Sequence, residues 1–157
     1  MKELDYAYAI GVTPCQAMGH TLRDSSGHCV QCNPSTIRFR RRYYENGYVY
    51  LAGSTSEKVI KVGFANDIDN REESLNEQGY GSIYDWQIIY WIQIKEGGRF
   101  EYLIQDQLNS YASPRTFIKD GRTNNCLEIF SCSFFKAKGI IDILLDEHMI
   151  MPLDEYT

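Results

Sequence analysis

The sequence predicts an α/β (α+β) chain, a small sheet with flanking helices behind a short N-terminal segment of different chemistry. Three observations lead there. From Gly47 onward, apolar and aromatic runs of strand length alternate with segments of helical spacing, separated by glycine and polar turn residues. The N-terminal segment is poor in apolar residues but carries closely spaced cysteines and a histidine. At 157 residues the chain can bury one respectable core, or a core plus a small appended module.

Cys15, His20, Cys29 and Cys32 read as C-x4-H-x8-C-x2-C. Zinc takes four soft or borderline ligands in a tetrahedron, and two short knuckles facing each other supply them. Gly19 and Gly27 permit the positive backbone dihedrals that tight knuckles require. His28 competes as a ligand but adjoins Cys29. Four protein ligands close the site, so the Zn²⁺ is structural, and a segment this polar needs it to hold a shape. The alternative is a redox C-x2-C pair, or four residues that are close only by coincidence.

Asn33-Pro34 predicts a helix start, with Asn33 as N-cap, and Asn46-Gly47 its stop. Arg38, Arg40, Arg41 and Arg42 make this helix basic, and Ile37, Phe39, Tyr43 and Tyr44 do not form a clean apolar stripe. The arginines read either as a solvated face or as a nucleic-acid-contacting surface.

Strands follow over Tyr48–Ala52 and Val59–Phe64, joined as a hairpin by a short polar turn. Asn66 caps a helix from Asp67 to about Gln78, which Gly79-Tyr80-Gly81 ends. Trp86–Ile94 is rich in β-branched and aromatic residues and predicts a third, largely buried strand. A helix runs from Arg99 to about Tyr111, then a polar loop containing Pro114 and Gly121. A short strand over Cys126–Ser131 and a final helix from about Ser133 to Glu147 complete the order β-β-α-β-α-β-α. The expected domains are a zinc-binding module over 1–33, a basic linker helix over 34–46 and the sheet domain over 47–150.

From Gly47 to Leu145 the chain resembles the GIY-YIG nuclease superfamily. Tyr48-Val49-Tyr50 stands where members carry Gly-Ile-Tyr, and Lys61-Val62-Gly63 stands where they carry Tyr-Ile-Gly. Arg71 and Glu101 follow on helices, and Leu127-Glu128-Ile129-Phe130 is similar to a late Glu-(Trp/Ile)-Phe element. Lysine at position 61 resembles the T5orf172 and Mug113-like branch. The resemblance implies a small mixed sheet with flanking helices and a metal-dependent phosphodiesterase. Tyr50 would be the general base or the group orienting water. Lys61 and Arg71 would supply positive charge at the phosphate, Glu101 would hold Mg²⁺ or Mn²⁺, and Tyr48 would assist. The chain departs from the pattern at Tyr48, where glycine is usual, and at Lys61, where tyrosine is usual.

Each residue also has a plainer reading. Tyr50 can be a packed strand tyrosine, Lys61 an edge charge that discourages aggregation, and Arg71 a partner for Asp67. Glu101 sits in a first helical turn, where the dipole favours a carboxylate, and Glu128 can be a structural acceptor. The ordered set, not any tripeptide, carries the reading.

Net charge is −5, which argues against a wholly basic nucleic-acid coat but allows one basic groove. Five cysteines is an odd number and no secretory signal is evident, so a disulfide framework is not expected and a cytoplasmic home is. No apolar stretch spans a bilayer, so no membrane partner is expected. The expected partner is nucleic acid, DNA before RNA, with a homodimer or protein partner open. The function classes are an endonuclease, an inactive nucleic-acid-binding or protein-interaction module of the same fold, and an acidic mimic of nucleic acid.

Overall fold

The computed structural model describes residues 8–24 and 27–157, apart from the side chains of Tyr8, Thr36, Phe39 and Arg40. The chain divides into two compact units, Met1–Arg42 and Tyr43–Thr157.

The first unit pairs β1 (Tyr8–Ile10) with β2 (Leu22–Asp24) antiparallel, with Ile10 opposite Leu22. An isolated antiparallel bridge also joins Arg23 to Cys29. Helix α1 (Ser35–Tyr44) follows, and the division between units falls inside it. Asn33 Oδ1 accepts from the backbone N–H of Ser35 at 3.2 Å, as a capping residue does. Among the described side chains of this unit only Cys15, Asp24 and Val30 are buried. The described side chains of this unit form no hydrophobic core.

The second unit contains β3 (Gly47–Ser54), β4 (Val59–Ala65), α2 (Arg71–Glu77), β5 (Trp86–Ile94), α3 (Gly97–Gln107), β6 (Arg115–Lys119), β7 (Arg122–Cys126), β8 (Ile129–Phe130), α4 (Phe134–Glu147) and β9 (Asp154–Tyr156). The main sheet has the order β8-β4-β3-β5-β9. All of its pairings are antiparallel, which corrects the expectation of a mixed sheet. Strands β4 and β5 do run the same way, but β3 lies between them and pairs antiparallel with both.

Alternation of side chains places two apolar layers on the sheet. Val49, Leu51, Val62, Phe64 and Ile92 pack with Phe100 and Ile104 of α3 and Ile141 of α4. Tyr50, Ala52, Val59 and Trp86 face the other way, with Leu75 of α2 and Phe117 and Cys126 of the β6–β7 hairpin.

Several elements differ from expectation for local reasons. Helix α2 begins at Arg71, not Asp67, and Asn66 does not cap it. Asp67 Oδ1 instead accepts from the backbone N–H of Asp69 at 3.0 Å, an Asx turn that holds this stretch out of helix. Helix α3 begins at Gly97 and ends at Gln107, with a 3-10 turn over Asn109–Tyr111. A Cβ at position 97 would lie 2.4 Å from the Phe64 ring, so glycine lets the helix start directly on the sheet. The expected polar loop is the β6–β7 hairpin. Asp120 and Gly121 have φ of 53° and 71°, the positive dihedrals of a two-residue Asp-Gly turn. The strand expected over Cys126–Ser131 is divided between the end of β7 and β8, and β9 was not foreseen. Helix α4 starts as expected, with Ser133 accepting from the backbone N–H of Lys136 at 3.2 Å.

Candidate active site and candidate metal centre

Tyr50 on β3 and Lys61 on β4 point to the same face of the sheet, and both are fully buried. Tyr50 lies opposite Gly63, and the absence of a side chain there is what admits the tyrosine ring. A Cβ on Gly63 would sit 2.3 Å from the Tyr50 Cζ and 2.4 Å from its hydroxyl oxygen. The glycine of Lys61-Val62-Gly63 is therefore a space requirement.

Arg71, the first residue of α2, donates from Nε to the Tyr50 hydroxyl at 2.9 Å. Its Cζ is 5.8 Å from the Tyr50 ring centroid. Among the described residues the two terminal nitrogens of Arg71 take no hydrogen bond. Tyr50 thus holds the arginine by its stem and leaves the guanidinium fork available, the geometry that suits a phosphate.

Lys61 is differently placed. Its ammonium donates to Glu128 Oε2 and lies 4.3 Å from the centroid of the Tyr80 ring. Tyr80 donates its hydroxyl to the same carboxylate oxygen at 2.8 Å. Burial, then the Glu128 charge, push the Tyr80 phenol well above its ordinary range, so it stays a protonated donor. The Lys61 side chain is 1% exposed and that of Glu128 28%, which makes this a largely desolvated pair.

Glu101 on α3 is 6% exposed. Gln105, one turn later on the same helix, donates to Glu101 Oε1 at 3.2 Å and to the Val62 carbonyl at 3.4 Å. The Val62 N–H donates to the Glu128 carbonyl at 3.0 Å. Both edge groups of Val62 are thus occupied, one from the helix carrying Glu101 and one from the segment carrying Glu128. Strand β4 is the common support of the two carboxylates.

A family model of the T5orf172 domain matches residues 47–144. The chain belongs to the T5orf172 domain family. No curated protein and no solved structure matches it.

Within the T5orf172 domain, the structure gathers Tyr50, Arg71 and Lys61 around one buried polar cluster. Tyr48 shares their face, but its ring meets Trp91 edge-on, with centroids 5.3 Å apart. Of the other members of the cluster, Tyr80 was not among the candidate residues, and Glu128 accepts from Lys61 and Tyr80, in keeping with its reading as a structural acceptor. Glu128 sits in the quoted Leu-Glu-Ile-Phe element, and a carboxylate beside a buried strand was the available signal. Tyr80 lies between Gly79 and Gly81, which read only as a helix stop. Gly81 has φ 67°, and a Cβ there would lie 2.6 Å from Ile129, so this glycine lets the Tyr80 turn close on β8.

Outside the T5orf172 domain, Cys15, His20, Cys29 and Cys32 converge, their ligand atoms all within 4.8 Å of one another. Cys15 Sγ is 3.7 Å from Cys32 Sγ, and His20 Nδ1 is 3.7 Å from Cys29 Sγ and 3.4 Å from Cys32 Sγ. A tetrahedron with metal–sulfur and metal–nitrogen bonds of about 2.3 and 2.0 Å has edges of roughly 3.5–3.8 Å. The four residues fit a metal ion. Hydrogen bonds, first that from the Met18 amide, pull the Cys15 thiol down to about 6, whereas bonds to its neighbouring thiols push Cys32 up to about 11. Three thiols this close cannot all ionise unless a cation joins them. His28 is outside the cluster, 3.6 Å from the Asp24 carboxylate.

Arg38, Arg41 and Arg42 are exposed on α1, whereas the side chain of Arg40 lies outside the described residues. Among the described residues, no helix is long and apolar enough to cross a membrane.

Proposed function

We propose that the chain is a metal-dependent endonuclease of the GIY-YIG type, hydrolysing phosphodiester bonds with DNA as the favoured substrate. The observation that carries this reading is the Arg71 fork held over the Tyr50 hydroxyl, beside a buried lysine–carboxylate pair on an otherwise apolar sheet face. A T5orf172 domain over 47–144 supports it.

Arg71 binds the scissile phosphate through its terminal nitrogens and offsets charge as it builds there. Tyr50 accepts from Arg71 and donates to nothing among the described residues, so its own O–H can orient the attacking water or a phosphate oxygen. Lys61, fixed by Glu128, acts as a stationary positive charge beneath the site rather than as a mobile phosphate ligand. Glu101, buried and oriented by Gln105, is the residue that would hold Mg²⁺ or Mn²⁺. When bound, that ion polarises the phosphate and stabilises the leaving oxygen. Tyr48 borders the site.

Zn²⁺ at Cys15, His20, Cys29 and Cys32 holds a module over 1–33, and Arg38, Arg40, Arg41 and Arg42 on the linker helix 34–46 add backbone contacts with nucleic acid. The nuclease domain covers 47–150. The protein acts in the cytoplasm, and cutting both strands with one small site calls for a homodimer or successive events.

The pairing of Lys61 with Glu128 favours a second reading, an inactive nucleic-acid-binding or protein-interaction module, because the lysine charge is already matched. Plasmid nicking separates the two. The enzyme nicks only with Mg²⁺ or Mn²⁺, and Glu101→Ala, Tyr50→Phe and Arg71→Ala each lower the rate by about 10²-fold or more. Folded protein that cuts nothing across duplex, single-stranded and branched substrates sinks the enzyme reading.

A further inference from the structure

The Tyr50 site continues sideways into an aromatic row. Cross-strand register places Gly63, Tyr50, Trp91 and Tyr156 on one rung across β4, β3, β5 and β9. Neighbouring strands are about 4.8 Å apart, so Trp91 stands one strand and Tyr156 two strands from Tyr50. The Trp91 and Tyr156 rings are parallel within 17°, with centroids 6.0 Å apart, and Tyr48 abuts Trp91 edge-on from the next rung. Trp91 is half-buried and Tyr156 is 55% exposed.

A β-bulge creates this row. The register between β3 and β5 shifts at Leu51/Ala52, so that Ala52 faces Ile88 but Leu51 faces Tyr90. Side chains on a regular strand alternate, and Trp86 and Ile88 face the site side. Without the extra residue, Tyr90 would follow them and Trp91 would turn into the opposite layer. The bulge sends Tyr90 there instead and turns Trp91 toward Tyr50.

We propose that Trp91, Tyr156 and Tyr48 form a stacking platform for an unpaired nucleobase whose phosphate is held by Arg71, making the substrate single-stranded or locally unpaired nucleic acid. In a duplex both faces of a base are covered by its neighbours, and only an unpaired or extruded base offers a face to an aromatic side chain. An aromatic row with an exposed end, beside a guanidinium with free donors, matches a nucleotide in both its parts, apolar base and anionic phosphate. Charge sets the direction. Asp154 lies on the Tyr48 rung, through Gln93, and disfavours phosphate at that edge, so the backbone passes on the Arg71 side with the base over Trp91 and Tyr156. This rests on the nucleic-acid reading above and adds the state of the strand.

Intrinsic fluorescence tests it without cleavage. The chain has two tryptophans, and Trp86 is 1% exposed, so quenching by a bound base reports Trp91. The full chain is titrated in magnesium-free buffer with a 12-mer deoxy oligonucleotide, its ribo counterpart, and the matching blunt duplex. Quenching by either single strand, with at least tenfold weaker binding of the duplex, is expected, and the two single strands read the sugar preference. Trp91→Leu lowers single-strand affinity about 5- to 150-fold by anisotropy. Trp91→Phe restores most of it, and Tyr156→Ser at the exposed edge lowers it less. Equal affinity for duplex and single strand, or a Tyr156→Ser and Trp91→Leu pair that stays folded and binds like the parent, overturns the platform alone. Binding to none of the three overturns the nucleic-acid reading with it.

Discussion

The two units reach a defined structure by opposite means. In residues 8–42 only three described side chains are buried, and one of them is a ligand of the Cys15–His20–Cys29–Cys32 cluster. In the sheet unit two apolar layers line the two faces, and the polar cluster of Tyr50, Lys61, Tyr80 and Glu128 packs against α2 and the β6–β7 hairpin while Glu128 keeps 28% of its side chain exposed. Each fully buried Leu, Ile or Phe contributes about 1.5–3 kcal/mol, so the sheet unit is overdetermined by packing. In the zinc-bound form proposed above, the N-terminal unit depends on one coordination event. A small segment can be shaped by four ligands and a metal, whereas a site built on a sheet is held by many small terms.

The sharpest way to break this contrast is metal removal. Structural zinc sites contribute about 10–16 kcal/mol, which is more than the N-terminal unit can replace by packing. Native mass spectrometry of the parent should find one zinc per chain. Cys29→Ala/Cys32→Ala should lose the zinc and the dispersed amide resonances of residues 8–34, while those of the sheet unit remain. Collapse of both sets together would show the contrast to be wrong.

A smaller effect tests the polar cluster. Glu128→Ala leaves the Lys61 ammonium buried without its carboxylate and should cost about 3 kcal/mol in chemical denaturation. Lys61→Met combined with Glu128→Leu should recover most of that loss, because an apolar pair of similar volume avoids desolvating two charges. Failure of the double variant to recover would mean that the pair contributes more than its own neutralisation.

Gly63→Ala tests the packing beneath Tyr50. With an added Cβ 2.3 Å from the ring, the tyrosine must move, and a loss of about 2 kcal/mol is expected. Tyr50→Phe shortens the side chain and should relieve part of it in the double variant. An unchanged melting temperature for Gly63→Ala would place the Tyr50 ring elsewhere.

The smallest effect concerns pH. Asp85 accepts from Ser54 Oγ at 2.6 Å and from the Ser56 amide at 2.9 Å, fastening the β3–β4 turn. These bonds, led by that from Ser54, lower its pKa from 3.8 to about 2. A folded-state pKa below the unfolded one means that the contribution is full above about pH 4 and is lost as pH falls toward 2. Asp85→Asn should flatten the stability of the sheet unit across that window, measured by tryptophan fluorescence. A parallel pH curve for the variant would remove Asp85 as its source.

Much of this was legible in the residues. Strands β3, β4 and β5 announced themselves by runs of Val, Ile, Tyr and Trp between turn residues, and α4 was expected close to its observed span. The four metal-ligand candidates were legible because a knuckle is local, with its ligands a few residues apart. The β6–β7 hairpin was legible in principle, since Asp120-Gly121 is a turn signal, but the flanking Arg, Thr, Lys and Asn residues hid it among polar loops. The late start of α2 was missed because Asn66 has the chemistry of a cap, whereas Asp67, expected as the first helical residue, closes an Asx turn instead.

What composition and spacing determined, then, are the properties that arise between near neighbours: element type, the cysteine–histidine knuckles, and the order Tyr50, Lys61, Arg71, Glu101 along the chain. Tertiary structure alone decided which of these meet. Lys61 is joined to Glu128 across 67 positions and Tyr50 to Arg71 across 21, contacts that no local pattern encodes. The bulge at β5 decided that Trp91, and not Tyr90, shares the face of Tyr50. The reason is physical: propensity and capping act over a turn or a rung, whereas burial and charge pairing are settled only when distant strands close into one sheet.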